Sequence, residues 1–437
     1  MEILFKNATV VACQARGDIL TNRNFFQKSS DVGIRDGKIT FDTKNATAAR
    51  VIDCTHKVLM PGLYNCHTHA GMTLFRGFAN DRTLEDWLFN HLIPAEAKLT
   101  PALVRIGTQL AMAEMLASGT VAFSDMYCHM DEVTRAADES GILANISNGV
   151  VALGDDFVFE NCNEYRQTLR ALEELSGAVK KDGRVKIEAS IHGCYTSSPP
   201  TWECVADFAQ KNNLRMHVHL SETKTEHDGC VEKYGATPAQ MFAKHGVFES
   251  PTLAAHGCWA TDEDMEILRE KSVTIAHNPL SNLKLASGLA PVVKFMKSGV
   301  NVALGTDGVS SNNSHDLFEE MKMASLLQKY ATNDPTAVPA SDALKMATIN
   351  GARAQGRENE SGQIKEGFDA DVILLDFNTP RQTMCYDPVL NLAYSTSGRD
   401  VEMTIVRGKV LYEKGEFMTI DVEKILHEAR KAKKIFE

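Results

Sequence analysis

Two histidines one residue apart, His67 and His69, close the stretch Pro61-Gly-Leu-Tyr-Asn-Cys-His-Thr-His69, which follows the apolar run Val58-Leu59-Met60. An apolar run ending in His-x-His reads as a buried strand, and positions i and i+2 of a strand share a face. Two neutral imidazoles converging on one point suit a divalent zinc, iron or nickel ion. The chain holds 14 histidines, so the pair needs partners from elsewhere before it means anything. They arrive at the ends of later apolar runs. In Leu214-Arg-Met-His217-Val-His219-Leu220 the outer histidine, His219, reads as a third ligand, and His217, deeper on the same face, as a hydrogen-bonded core residue. Glu222, three residues past His219, is placed to touch a substrate without binding metal. Pro251 to Gly257 delivers His256, and Val300 to Asp307 delivers an aspartate that reads as the fourth ligand and as acceptor of a proton from water.

The elements that must hold these residues follow from the pattern around them. Between residues 58 and 366 short apolar strands alternate with helical segments such as Pro101–Ser118, Thr201–Asn212 and Asp262–Lys271, which implies a parallel α/β sheet. Eight strands end near His67, Asp125, Val150, His192, His219, His256, His277 and Asp307, and seven of those ends carry His or Asp. Eight β/α units fit a TIM-type barrel, whose site lies at the C-terminal ends of its strands. Residues 1–57 read instead as β structure, with an Asp36-Gly37 hairpin turn. Residues 367–437 match them in kind, with a strand over 369–376, a hairpin over 403–412 and a helix capped by Asp421 running to Phe436. The expected architecture is a (β/α)8 barrel over 58–366, with a small β-sandwich built from 1–57 and from 367–437, closing helix included.

Composition narrows the function classes. A chain of 437 residues, 43% hydrophobic and 24% charged, is an ordinary globular enzyme in make-up. Its net charge of −11 argues against nucleic acid and anionic membrane as partners, and favours a small neutral or cationic substrate. No signal peptide or membrane span is visible, so a cytoplasmic location is expected. The ten cysteines form no Cys-x-x-Cys pair and read as reduced core residues, Cys66 and Cys194 beside the site among them. Oligomeric state is left open.

Taken together, His67-Thr-His69, His219-Leu-Ser-Glu222, Ala255-His256-Gly257, His277-Asn-Pro-Leu-Ser-Asn-Leu-Lys284 and Gly305-Thr-Asp307-Gly resemble the amidohydrolase superfamily. Within it they are similar to the 5′-methylthioadenosine/S-adenosylhomocysteine deaminase branch, near the triazine hydrolases, and the resemblance spans essentially the whole chain. It implies His67, His69, His219 and Asp307 as ligands of one divalent metal ion, zinc before iron or nickel. It also implies Glu222, His256 and Asp307 as catalytic groups, and Glu96, His192 and Glu222 as substrate contacts. Dinuclear members carry a bridging lysine where this chain has His192, so one metal per chain is expected. The branch usually has an arginine after the third strand, where this chain reads Ser147-Asn148-Gly149, and Asn148 puts recognition of a substrate carboxylate in question. The implied activity is hydrolytic deamination of 5′-methylthioadenosine, S-adenosylhomocysteine or adenosine, with a pterin, guanine derivative or s-triazine as the alternative substrate. The zinc-thiolate deaminases are excluded, since neither His-x-Glu nor Pro-Cys-x-x-Cys occurs. A non-catalytic metal-binding scaffold would leave Glu222 and His256 without a reason to accompany the ligands.

Overall fold

The computed structural model describes residues 1–13, 26–44, 46–83, 86–152, 158–177, 179 and 182–436. These fall into two compact units, one of residues 1–65, 113–122 and 316–420, the other of 66–112, 123–315 and 421–437. In the first unit the two chain ends share a nine-stranded sheet, because Lys57–Pro61 pairs antiparallel with Val372–Asp376 from Val372 opposite Pro61 to Asp376 opposite Lys57. Two of its hairpins turn where the sequence places them. Asp36 and Gly37 (φ 54° and 73°) and Arg407 and Gly408 (φ 45° and 77°) occupy left-handed positions, the demand of two-residue loops between twisted strands. Phe5, Ile34, Leu59, Leu374 and Ile405 form its core.

The strands that carry the site form two further sheets. One takes Leu63–Thr68, Thr120–Met126, Leu143–Ser147 and Val185–Ile187 in that order; the other takes Ala189–Ile191, Met216–Leu220, Thr252–His256, Thr274–His277 and Asn301–Leu304, each paired parallel with the next. Every residue of Met216–Leu220 and of Thr252–His256 is buried, as parallel strands covered on both faces require. The fourth strand expected from the sequence is two pieces. Glu188 is the switch: its N–H bonds Ile146 on one side, while the Ala189 N–H bonds Arg215 on the other, so the chain changes sheets there.

Two further expectations are corrected. The closing helix Val422–Phe436, capped by Asp421 Oδ1 accepting from the Lys424 N–H at 3.0 Å, groups with the second unit and not with the β part. Its Phe436 ring meets Phe75 edge-on at 4.8 Å and its Ile435 carbonyl accepts from Lys98. All ten cysteines are free, but only six are buried and Cys204 is exposed. Among the described residues no helix is long and apolar enough to cross a membrane.

Candidate metal and catalytic site

The His-x-His pair lies at the end of Leu63–Thr68, and its imidazoles meet the side chain of Asp307. His67 Nε2 is 3.4 Å and His69 Nε2 3.2 Å from the same oxygen, Asp307 Oδ1. The two residues come together because the Asp307 N–H bonds the His67 carbonyl at 2.9 Å. Gly305 permits that approach, since a Cβ there would sit 2.4 Å from Asn278 Oδ1 and 2.8 Å from the His67 nitrogen. The third expected ligand, His219, has its ring centroid 4.9 Å from that of His67 and 5.4 Å from that of His69. Three of the strand-end residues, Ser221, His256 and Asp307, hold left-handed φ values of 46°, 77° and 62°, uncommon for non-glycine residues.

The groups behind these side chains settle which nitrogen faces inward. Backbone carbonyls can only accept, so His69 Nδ1 donates to Met126 O at 2.6 Å and His219 Nδ1 to His192 O at 2.5 Å. In the neutral imidazole both Nε2 atoms then carry lone pairs, the form a metal needs. His67 Nδ1 pairs with His217 Nε2 at 2.9 Å, so His217 is the hydrogen-bonded core residue its position suggested. His67 Nε2 itself is buried with no hydrogen-bond partner, an orphan that a cation would satisfy. Asp307 is held from behind by Ser281 Oγ at 2.6 Å and Ser311 Oγ at 3.1 Å, both on Oδ2, and by the Gly308 N–H on Oδ1.

Charge in this cleft is unevenly distributed. Burial pushes His67 down to about 3 and His192 to about 4, and holds His217 and His219 far below the usual imidazole range. Burial also opposes charge on His69, but the Asp307 carboxylate beside it more than offsets this and raises it to about 9. Burial works against Asp307 too, yet the His67 and His69 rings beside it hold its carboxyl well below the ordinary value. The cleft therefore attracts one positive charge against several neutral imidazoles. Three imidazoles and a carboxylate of this kind fit a divalent ion.

Glu222 and His256 stand beside this cluster. His256 Nε2 is 3.8 Å from Glu222 Oε2, and Asn282 Oδ1 accepts from His256 Nδ1 at 2.9 Å, which turns Nε2 toward the glutamate. Burial raises the pKa of Glu222, so its carboxyl holds a proton more readily than a surface glutamate. The Ser287 hydroxyl donates to its Oε1 and its own N–H donates to Glu226 Oε2 at 2.7 Å. Glu96, from the segment after Asp86–Leu92, accepts from the Tyr127 hydroxyl at 2.6 Å, and burial raises its pKa. His192 lies 4.8 Å, centroid to centroid, from His219, its Nδ1 on the Thr196 hydroxyl. Asn148 is buried after Leu143–Ser147, its Nδ2 donating to Gln167 Oε1 at 2.8 Å.

Reasoning from sequence overlooked the supporting shell: Tyr127, Gln167, Ser281, Asn282, Ser311 and Glu226. Ser281 and Asn282 lie inside the His277–Lys284 motif, and Glu226 follows Glu222 by one helical turn, so local signals existed for those three.

The amidohydrolase family profile matches residues 58–411, and the chain belongs to that family. Members of the family depend on metal, and the His67, His69 and Asp307 cluster is where this chain would hold one. Among curated relatives, the 5-methylthioadenosine/S-adenosylhomocysteine deaminase of Acetivibrio thermocellus is 43% identical over 97% of each chain. The 5′-deoxyadenosine deaminase of Methanosarcina mazei is 45% identical, covering 99% of this chain and 97% of its own. Among solved structures, an adenosine deaminase from Xanthomonas campestris with bound zinc superposes with TM-score 0.91 at 29% identity, over 100% of this chain and 98% of its own. The zinc complex of an atrazine chlorohydrolase from Arthrobacter aurescens, 23% identical with TM-score 0.86 over 100% of both chains, shares the fold. The fold is TIM-barrel-like.

Proposed function

We propose that the chain is a metal-dependent hydrolytic deaminase of adenine nucleosides, converting the 6-amino purine to the 6-oxo purine with release of ammonia. The observation that carries this reading is the meeting of His67 and His69 Nε2 on one oxygen of Asp307, with Glu222 and His256 alongside. His67, His69, His219 and Asp307 would hold one ion, zinc by the chemistry of three imidazoles and a carboxylate. When bound, such an ion makes water a nucleophile at neutral pH by lowering its pKa.

The chain's own residues supply the rest. Asp307 accepts the proton of the attacking water. The Glu222 carboxyl gives its proton to the ring nitrogen beside the reacting carbon, which removes aromatic resistance to attack. His256, aimed by Asn282, steadies the oxygen that develops negative charge there. The departing amine leaves as ammonia after taking a proton back. Glu96, one oxygen held by Tyr127, turns the other to a ribose hydroxyl, and His192 contacts the base. Asn148 offers no cation for a substrate carboxylate. The two site-bearing sheets close as one eight-stranded barrel over residues 58–366, and both chain ends build a small β-domain.

The test is ammonia release from zinc-loaded protein across adenosine, 5′-methylthioadenosine, 5′-deoxyadenosine, S-adenosylhomocysteine, guanine, a pterin and an s-triazine. Turnover of the adenine nucleosides is expected. Release from guanine, pterin or triazine alone would overturn the assignment.

A further inference from the structure

Glu222 has a second face. Its carboxyl looks toward His256, and the residue also lines a cavity of about 280 Å3 that opens to solvent. The walls of this cavity are Leu88 and Phe89, Tyr195, and Gly229 and Tyr234 of the helix Lys224–Tyr234. None of His67, His69, His256, Asp307, Glu96 or Asn148 lines it, so it is neither the metal cleft nor the place where the carboxylate at Glu96 would receive a sugar. The polar groups at its inner end are already engaged: Glu226 accepts from the Glu222 N–H through Oε2 and from the Cys194 thiol through Oε1. What remains exposed to an occupant is mainly aromatic and aliphatic.

The purine fixes what would enter. In the proposed reaction Glu222 faces N1 and the metal cleft faces C6. The atom on the other side of N1 is C2, so a group on C2 projects past Glu222 and away from the cleft. We infer that this cavity is a subsite for substituents at purine C2, so that the enzyme deaminates adenine nucleosides carrying an apolar C2 group which a closed wall would reject. The inference rests on the deaminase reading and on Glu222 as the partner of N1. It makes C2 tolerance a property of the Glu222 side, independent of whatever is attached at the 5′ carbon.

The probe is 2-phenylaminoadenosine, compared with adenosine by ammonia release from the zinc-loaded full chain. A hydrophobic pocket discriminates a single methylene by about 10- to 200-fold, so a closed wall would cost the much larger phenylamino group more than that. With the cavity available, kcat/KM for the substituted nucleoside stays within about tenfold of adenosine. Two filling variants then locate the group. A Cβ on Gly229 meets nothing within 4 Å, so Gly229→Phe can be accommodated in the helix, and Thr225→Phe fills the same space from one turn earlier. At least one of them should lower the ratio of 2-phenylaminoadenosine to adenosine turnover by about tenfold or more, chiefly through KM. Loss of the substituted substrate in the unmodified enzyme, with adenosine still turned over, would overturn the subsite and leave the deaminase reading standing. A ratio unmoved in both variants would also overturn it, and inactivity on every adenine nucleoside would sink the reading beneath it.

Discussion

At the scale of single residues, burial shifts the side chains of the site in opposite directions, pushing His67 down and Glu222 up. Desolvation raises the pKa of Glu222, which has Ser287 on one oxygen and His256 near the other. Glu222→Gln preserves size and hydrogen bonding but has no proton to give, so turnover should fall by about a hundredfold or more. Metal content by elemental analysis should be unchanged, and near-normal turnover would remove Glu222 as donor. Asn148 decides a different question. Its amide is committed to Gln167, which also accepts from the His129 N–H, and the arginines on the neighbouring helix do not replace a cation there. Arg166 is exposed, and Arg170 donates to Asp131 at 3.2 Å. A hydrogen bond to a charged group contributes about 1.5 to 3 kcal/mol, roughly ten- to a hundredfold in affinity. The enzyme should accordingly prefer 5′-methylthioadenosine, 5′-deoxyadenosine or adenosine to S-adenosylhomocysteine, and Asn148→Arg should narrow the gap. Comparing kcat/KM for these nucleosides in both proteins checks it. A wild type that already favours S-adenosylhomocysteine, with a ratio the arginine leaves alone, would refute the idea.

At the scale of elements, the end of the strand Thr120–Met126 organises more of the site than any ligand does. Asp125 Oδ1 accepts from the Thr68 hydroxyl at 2.8 Å and the Ala70 N–H at 2.6 Å, fixing both sides of His69. Met126 O orients the His69 ring, and Tyr127 holds Glu96. Tyr127→Phe should release Glu96 while leaving the ligands in place. The expected outcome is a KM for nucleosides raised about tenfold, the lower end of a charged hydrogen bond, with kcat and metal content near normal. A proportional fall in metal content would mean that the tyrosine supports the metal cleft instead. Very little of this was visible in the sequence. The eight apolar runs were, because a buried parallel strand leaves an unbroken hydrophobic signature, and so were His67, His69 and His219, because a period of two puts them on known faces. Tyr127 and Glu96 are 31 residues apart, Asp307 and Ser281 26, and Asn148 and Gln167 19, so these partnerships leave no periodicity to detect. The closing helix shows the same limit. Its cap at Asp421 and its charge order were legible, but an amphipathic stripe states that a face is buried without naming Phe75 as what buries it.

At the scale of the whole molecule, the metal cleft couples binding to stability. Eight histidines among the described residues, 67, 69, 217, 219, 227, 256, 277 and 315, are buried in the second unit, and burial lowers the pKa of His67, His217, His219 and His277. Asp307 is a buried carboxylate among them, balanced by charge on His69 alone among its imidazole neighbours whose pKa is raised. Such an arrangement is costly when empty and is relieved when a dication takes the place of the proton. A ligand that binds only the folded chain stabilises it by RT ln(1 + [L]/Kd), about 4 kcal/mol at a thousand times Kd. Chelator-treated protein should therefore melt several degrees below the zinc-loaded form, lose turnover, and regain both with one equivalent of zinc per chain. Asp307→Asn should abolish the zinc-dependent rise in Tm, since it removes the one carboxylate that faces His67 and His69. Calorimetry and elemental analysis after gel filtration give the two readouts independently of activity. Two ions per chain, with turnover following the second, would exclude the mononuclear site.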